Sequence, residues 1–466
     1  MIFSTTVFVF AFLPAFLAIY YLTPWRAKSY VILVASYVFY GWWRVEYLLL
    51  IFLMSLISYV AAEVTVRSGT ERIRRVAVWA GVSFDLAALA FFKYTTFILG
   101  NVNGILTFAG GDGIQVVDVL LPIGISFHTF QSISYVIDIY RKDAPPARHL
   151  VDFLAFGSLF PQLIAGPVLR YKDLSEQFMH RVHSLEQFTK GVYRFTIGLS
   201  MKVLIADSVA PLADRMFALP DPSFTEAWLG ALAYTIQLFF DFAGYSTMAI
   251  GLGLMIGFRF IENFNYPYIA RSITEFWQRW HISLSTWLRD YLYIPLGGNR
   301  GGALKTYRNL LLTMVLGGLW HGANWTFILW GVWHGGIMAI ERALGAKGRD
   351  TVWPKRIALP LTFGMVVIGW VVFRAPDLGI AFDVYAGMLG LQGFGLRPEI
   401  LWELQSSELA ILLLGFAICF APLVPATLPA WIKGSNVQAA AMLMLFGLAT
   451  SRMAAQGYSP FLYFQF

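Results

Sequence analysis

Long apolar runs separated by short charged loops set the pattern of this chain. Residues 6–22, 47–64, 77–92, 409–424 and 437–449 are such runs, and others recur between them. A helix of ~20 apolar residues crosses a ~30 Å hydrocarbon core and satisfies its own backbone groups, so the spacing predicts an all-α polytopic integral membrane protein with about 10–12 transmembrane helices. The runs do not alternate in polarity over ~10 residues, as barrel strands would. Residues 153–168 carry Pro161, Gly166 and Pro167, which predicts a broken or re-entrant segment. Residues 227–257 form a long apolar tract that Asp241 and Gly244 interrupt. Residues 262–308 are too charged to span. Their Trp277, Trp280, Trp287, Tyr291 and Tyr293 predict amphipathic helices that lie at an interface, rings at headgroup depth, or line a cavity.

Composition strengthens this picture. The chain is 58% hydrophobic and 13% charged, against about 25% charged in a soluble domain. No basic stretch precedes the first apolar run and no small-residue cleavage site follows it, so a retained span is expected. The single Cys419 excludes a disulfide framework or thiolate cluster within one chain. The net charge of +7 is spread between spans, which fits Lys/Arg-rich cytoplasmic loops and no nucleic-acid partner. Arg26 and Lys28 follow the first run and Arg67, Arg72, Arg74 and Arg75 the third, so these loops are expected inside, and residues 101–113 outside.

The candidate chemistry lies in residues 309–335, NLLLTMVLGGLWHGANWTFILWGVWHG, where two histidines and an asparagine sit among apolar residues. An unpartnered polar group in hydrocarbon costs roughly 2–7 kcal/mol, so a buried His321 is paired, bound or in use. His321 and Asn324 share a face if one helix carries both, and Asn can orient an imidazole or donate to an oxyanion. An imidazole with a pKa near ~6.5 suits a general base. Gly317, Gly318 and Gly322 permit close backbone approach. A structural, cross-helix hydrogen-bonded His321 stands as the alternative. On a continuous helix His334 falls about 220° away and reads as packing. His281 opens the block WHISLSTWLRDYLYIPLGGNRGG, whose Arg289, Asp290 and Arg300 either pair, meet an anionic donor, or form a solvated face. His128 reads as hydrogen-bonded packing, and His149, His180 and His183 as solvated surface. A metal site of His281, His321 and His334 with Asp241 or Glu275 lacks any close ligand spacing. A transporter built on Asp241 and Asp290 lacks repeat symmetry.

EFWQRWHISLSTWLRDYLYIPLGGNRGG at 275–302 together with LGGLWHGANWTFILWGVWHG at 316–335 resembles the membrane-bound O-acyltransferases, most of all their alginate-type branch. LPIGISFHTFQSISYVIDIYR, FPQLIAGPVLRY and QLFFDFAGYSTMAIGLGLMIGFRF support the likeness, which runs to about Ala375. The resemblance implies one membrane domain over residues 1–466, with a core at about 119–375, less distinctive helices at 376–466, and helices ringing a central funnel. It matches the family's characteristic histidine to His321 and its second polar position to His281, with Asn324 in the first motif. It implies acetyl transfer from a cytoplasmic donor to an exported polysaccharide, alginate first, with cellulose or peptidoglycan as alternatives. Acetyl-CoA is then the donor substrate, Arg289, Arg300 and Lys305 meet its phosphates, no cofactor or metal is resident, and periplasmic acetyltransferases are partners. The setting implied is the bacterial inner membrane.

Overall fold

A computed structural model describes residues 1–346, 348, 351–424, 435–456 and 461–462. The chain forms two compact units, Met1–Phe195 with Met248–Ile261, and Thr196–Thr247 with Glu262–Phe466. Among the described residues, six helices are long and apolar enough to cross a membrane: Glu46–Arg67, Glu71–Phe108, Leu185–Phe217, Phe224–Met255, Ser406–Leu423 and Asn436–Gln456. Four shorter apolar helices, Phe8–Leu22, Leu150–Leu163, Ala358–Arg374 and Leu378–Met388, account for the broken runs in the sequence.

In the first unit, Glu46–Arg67 and Glu71–Phe108 pack with Ile125–Arg141. Glu46 and Arg67 sit at the ends where the helix dipole favours their charges. Gly81 allows the close approach: a Cβ there would lie 2.9 Å from that of Ala61. His128 is buried and hydrogen-bonded, with Nδ1 2.9 Å from the Gly157 carbonyl and Nε2 3.3 Å from Ser55 Oγ, as a packing role requires. The segment at 153–168 is broken as expected. Leu150–Gly157 ends before Ser158, and Phe160–Leu163 restarts with Pro161 in its first turn, where a missing N–H does no harm. His183 departs from expectation. It is half-buried, with Nε2 3.0 Å from the Tyr20 hydroxyl, whereas His149 and His180 are exposed.

In the second unit two expectations are corrected. Phe224–Met255 runs unbroken for 32 residues. Asp241 does not interrupt it because its carboxylate accepts from Lys202 at 2.7 Å and from the Leu462 N–H at 3.0 Å, so its charge is compensated. Gly244 is there for packing, since a Cβ would meet the Gly198 carbonyl at 2.8 Å. Residues 262–308 fold as short helices and turns; Trp277, Trp280, Trp287 and Tyr291 are buried within protein instead of exposed on an interfacial face, and Trp277 and Tyr293 line a cavity, as the second expectation has it. Phe276, Trp280 and Trp370 stack, tilt or meet edge-on at 4.8 to 6.1 Å, so the block is core as well as cavity wall.

Candidate active site

The helices Ala303–His321 and Trp325–Ala343 form an antiparallel hairpin, and neither is among the six long apolar spans. Small residues bring them together. A Cβ on Gly318 would overlap the Phe327 carbonyl, and one on Gly331 would lie 2.5 Å from the Met314 carbonyl. The first helix stops at His321 because Gly322 turns to an extended conformation. Asn324 is the N-cap of the second: its Oδ1 accepts from Thr326 N at 3.2 Å, and its Nδ2 donates to the Pro376 carbonyl at 2.8 Å. His321 and Asn324 therefore flank a turn and do not share a helical face. The one-helix assumption fails because glycine and a capping residue end the helix between them.

His321 is 5% exposed. Its ring meets Trp330 at 5.3 Å and Phe373 at 5.2 Å, both edge-on, and Trp320 at 5.0 Å. The same break brings His334 back. It meets Trp330, one turn earlier on its own helix, at 5.0 Å, and His321 meets the same indole, so the two histidines share a neighbour that one continuous helix would not give them. Its Nδ1 accepts from Trp277 Nε1 at 3.4 Å.

His281 begins the Ile282–Leu288 helix in the left-handed region, φ 44°. Few non-glycine residues adopt that conformation, and such strain concentrates at functional sites. Its Nδ1 lies 3.2 Å from Asn263 Oδ1, which also accepts from Ser283 Oγ at 2.8 Å and Ser283 N at 3.2 Å. Phe242 stands edge-on over the ring at 4.6 Å. Burial pushes the imidazole pKa down to about 3, so the ring is neutral at physiological pH. Trp320 links the two candidates, with its ring 6.3 Å from His281 and 5.0 Å from His321. Phe461 meets Tyr245 at 4.7 Å and Phe242, the ring that covers His281, at 6.2 Å. Nothing in the local sequence pattern of Phe461 signalled this.

A cavity of about 550 Å³ opens beside this cluster. Trp277, Gln278, Ser285, Arg289, Asn299 and Arg342 are among its lining residues, an apolar wall with a few polar groups as ligand sites have. Trp277 packs edge-on against Trp330 at 5.4 Å, and Trp330 against His321, so two indoles stand between cavity and imidazole. Arg289 lines the cavity and pairs with Asp290 at 2.7 Å. Arg300 and Lys305 are exposed and are not among its lining residues. Arg342 and Asn299 went unremarked in the sequence, although Arg342 follows Glu341 at the end of an apolar run. Glu341 is buried and holds the Ile273–Trp277 helix, accepting from Ile273 N at 2.8 Å, Thr274 N at 3.1 Å and Thr274 Oγ1 at 2.9 Å. Glu275 pairs with Arg279 at 2.8 Å. Among the described residues no group of three or more His, Cys, Asp or Glu is placed to hold a metal ion.

The sequence pattern of the membrane-bound O-acyltransferase family (MBOAT) matches residues 142–375, a stretch that contains His281, His321, Asn324 and most of the cavity wall. The chain belongs to this family. Full-length relatives agree. The chain is 50% identical to the Probable alginate O-acetylase of Azotobacter vinelandii and 49% identical to that of Pseudomonas aeruginosa, with all of each chain covered. It is 34% identical to the Peptidoglycan O-acetyltransferase of Helicobacter pylori over 100% of this chain and 98% of that one. This membrane-bound acyltransferase thus shares its whole length with proteins named as alginate O-acetylases and a peptidoglycan O-acetyltransferase.

Proposed function

We propose that this acyltransferase supplies acetyl groups for the O-acetylation of alginate during its export. The observation that carries the reading is the 50% identity, end to end, with alginate O-acetylases. The bacterial inner membrane is the setting, and periplasmic acetyltransferases are the partners that finish the transfer. Acetyl-CoA is the donor, and the cavity beside Arg289 and Arg342 receives it from the cytoplasmic side. The reacting carbonyl comes to His321, which takes the proton from the attacking hydroxyl. The new C–O bond forms, the C–S bond breaks, and the proton passes from the imidazolium to the leaving thiolate. Neutral His281 holds the carbonyl or the His321 ring in place. Asn324 acts by capping, fixing the turn that ends at His321.

Replacing His321 with Ala removes the base, so polymer acetylation falls by the ~10²–10⁴-fold that general-base catalysis contributes, while membrane insertion stays intact. Wild-type acetyl content in that variant would sink the assignment. Transfer of radiolabelled acetyl from acetyl-CoA tests the donor separately. Peptidoglycan is the second reading, on the 34% identity with the Helicobacter pylori enzyme. In a deletion strain, loss of acetyl esters from secreted alginate with peptidoglycan unchanged supports the first reading, and the reverse pattern supports the second.

A further inference from the structure

The first unit holds a pair of buried cations that acyl transfer does not use. The turn Trp25–Ala27 leads straight into Lys28–Gly41, so Lys28 occupies the first turn of a helix, where a cation opposes the dipole. Lys28 is 7% exposed, and its Nζ donates to the Tyr20 carbonyl at 2.5 Å and lies 4.1 Å over the Tyr20 ring. That carbonyl takes one of three ammonium protons. Arg181, 8% exposed, comes from the loop after Tyr171–Met179. Its guanidinium carbon lies 4.8 Å from the Phe258 ring and 5.0 Å from Trp25. Its Nε and Nη1 are buried and meet no acceptor. Among the described residues, neither Lys28 nor Arg181 makes an ion pair.

Two buried like charges that make no ion pair are unfavourable: burial, then Arg181, pulls the Lys28 pKa down, while Arg181 has only the field of Asp152, beyond ion-pair distance, to offset its own burial. His183 and the Tyr20 hydroxyl, 3.0 Å apart, add neutral polar groups at the same place. Around the cluster the surface is apolar rather than acidic. Leu22, Trp25, Val182 and Leu185 are all exposed large hydrophobic side chains. A small free anion would neutralise the cations and leave these side chains bare, whereas a lipid would cover both.

We infer that Lys28, Arg181 and His183 form a binding site for the phosphate of an anionic phospholipid, whose acyl chains cover Leu22, Val182 and Leu185. Basic clusters between helices at a membrane surface recognise such headgroups, and the guanidinium fork supplies paired donors for phosphate oxygens. The site does not depend on the acyl-transfer reading.

The test uses the purified full-length chain in nanodiscs of phosphatidylcholine, with and without phosphatidylglycerol, read by thermal melting and by lipid retention in native mass spectra. Phosphatidylglycerol should raise the wild-type melting temperature and be retained in preference to phosphatidylcholine. Arg181→Gln should weaken that retention about tenfold, the loss expected for one charge-assisted hydrogen-bonded contact. In phosphatidylcholine alone Arg181→Gln should melt no lower than wild type, because it removes a buried charge that no ion pair holds. Lys28→Gln should weaken retention too, and Arg181→Lys should fall between Arg181→Gln and wild type. The exposed Arg356→Gln, with the same loss of net charge, should behave as wild type. Equal retention of both lipids, unchanged retention in Arg181→Gln, or full stabilisation by inorganic phosphate alone would overturn the proposal.

Discussion

At the scale of single residues, burial keeps the His281 imidazole neutral. His281 has its pKa pushed down to about 3 by burial, while the unfolded chain titrates near the ordinary 6.5. Above pH 6.5 both states are neutral and the full stability is present. As the pH falls from 6.5 towards 3 the unfolded state takes up a proton that the folded state refuses, so stability is lost. His281→Asn, which stays neutral and tolerates the left-handed conformation, should flatten the fall in melting temperature between pH 7 and pH 5. An equally steep fall in that variant would show that other groups carry the acid sensitivity. The residue scale is also where sequence reading was uneven. The burial of His321 was legible because it lies in an apolar run. The true work of Asn324 was not, because spacing alone does not reveal that Gly322 ends the helix. His183 misled for a similar reason: charged neighbours suggested solvent, but Tyr20, distant in sequence, covers it.

Among the elements, the hairpin and the short helix beside it position the chemistry. Close packing at Gly318 leaves no room for a methyl group against the Phe327 carbonyl. Gly318→Ala should therefore cost about 1–3 kcal/mol of stability, seen as a lowered melting temperature, and should reduce turnover by shifting His321. Gly364→Ala, at a position with nothing within 4 Å, is the control that should leave both unchanged. At the hairpin turn, Asn324→Asp keeps an N-cap acceptor and Asn324→Ala does not, so Ala should cost about 1 kcal/mol more. Glu341 belongs here as well. It satisfies backbone donors at the start of the Ile273–Trp277 helix, which carries Trp277 to the cavity wall. Removing it as Glu341→Ala leaves those donors buried and unpaired at about 1–3 kcal/mol each, which should loosen the cavity and lower donor affinity. The break at residues 153–168 was readable from two prolines and a glycine. The burial of Trp277, Trp280 and Trp287 was not, since a tryptophan at a membrane interface and one inside a protein look alike in sequence.

At the scale of the whole molecule, hydropathy made the class legible but not the fate of each polar group within it. Asp241 looked like a break in an apolar tract or a transport site. Its partner Lys202 lies 39 residues away in the Leu185–Phe217 span, a pairing that no local pattern contains. Sidedness is the remaining whole-molecule property, and the basic loops make it testable. If Arg67, Arg72, Arg74 and Arg75 hold their loop inside, residues 101–113 face outward, and the donor cavity must open inward for acetyl-CoA to reach it. The native Cys419 is 2% exposed, so it should contribute little labelling background. A cysteine at exposed Asp112 should react with an impermeant maleimide in intact spheroplasts, and one at exposed Lys305 only in inverted vesicles. The opposite pattern at both sites would invert the topology and place the Arg289 side of the cavity away from cytoplasmic acetyl-CoA. Labelling of Lys305→Cys slowed by acetyl-CoA but not by acetate would bring the donor's nucleotide end to the exposed first turn of the Ala303–His321 helix, in line with the proposed entry from the cytoplasmic side.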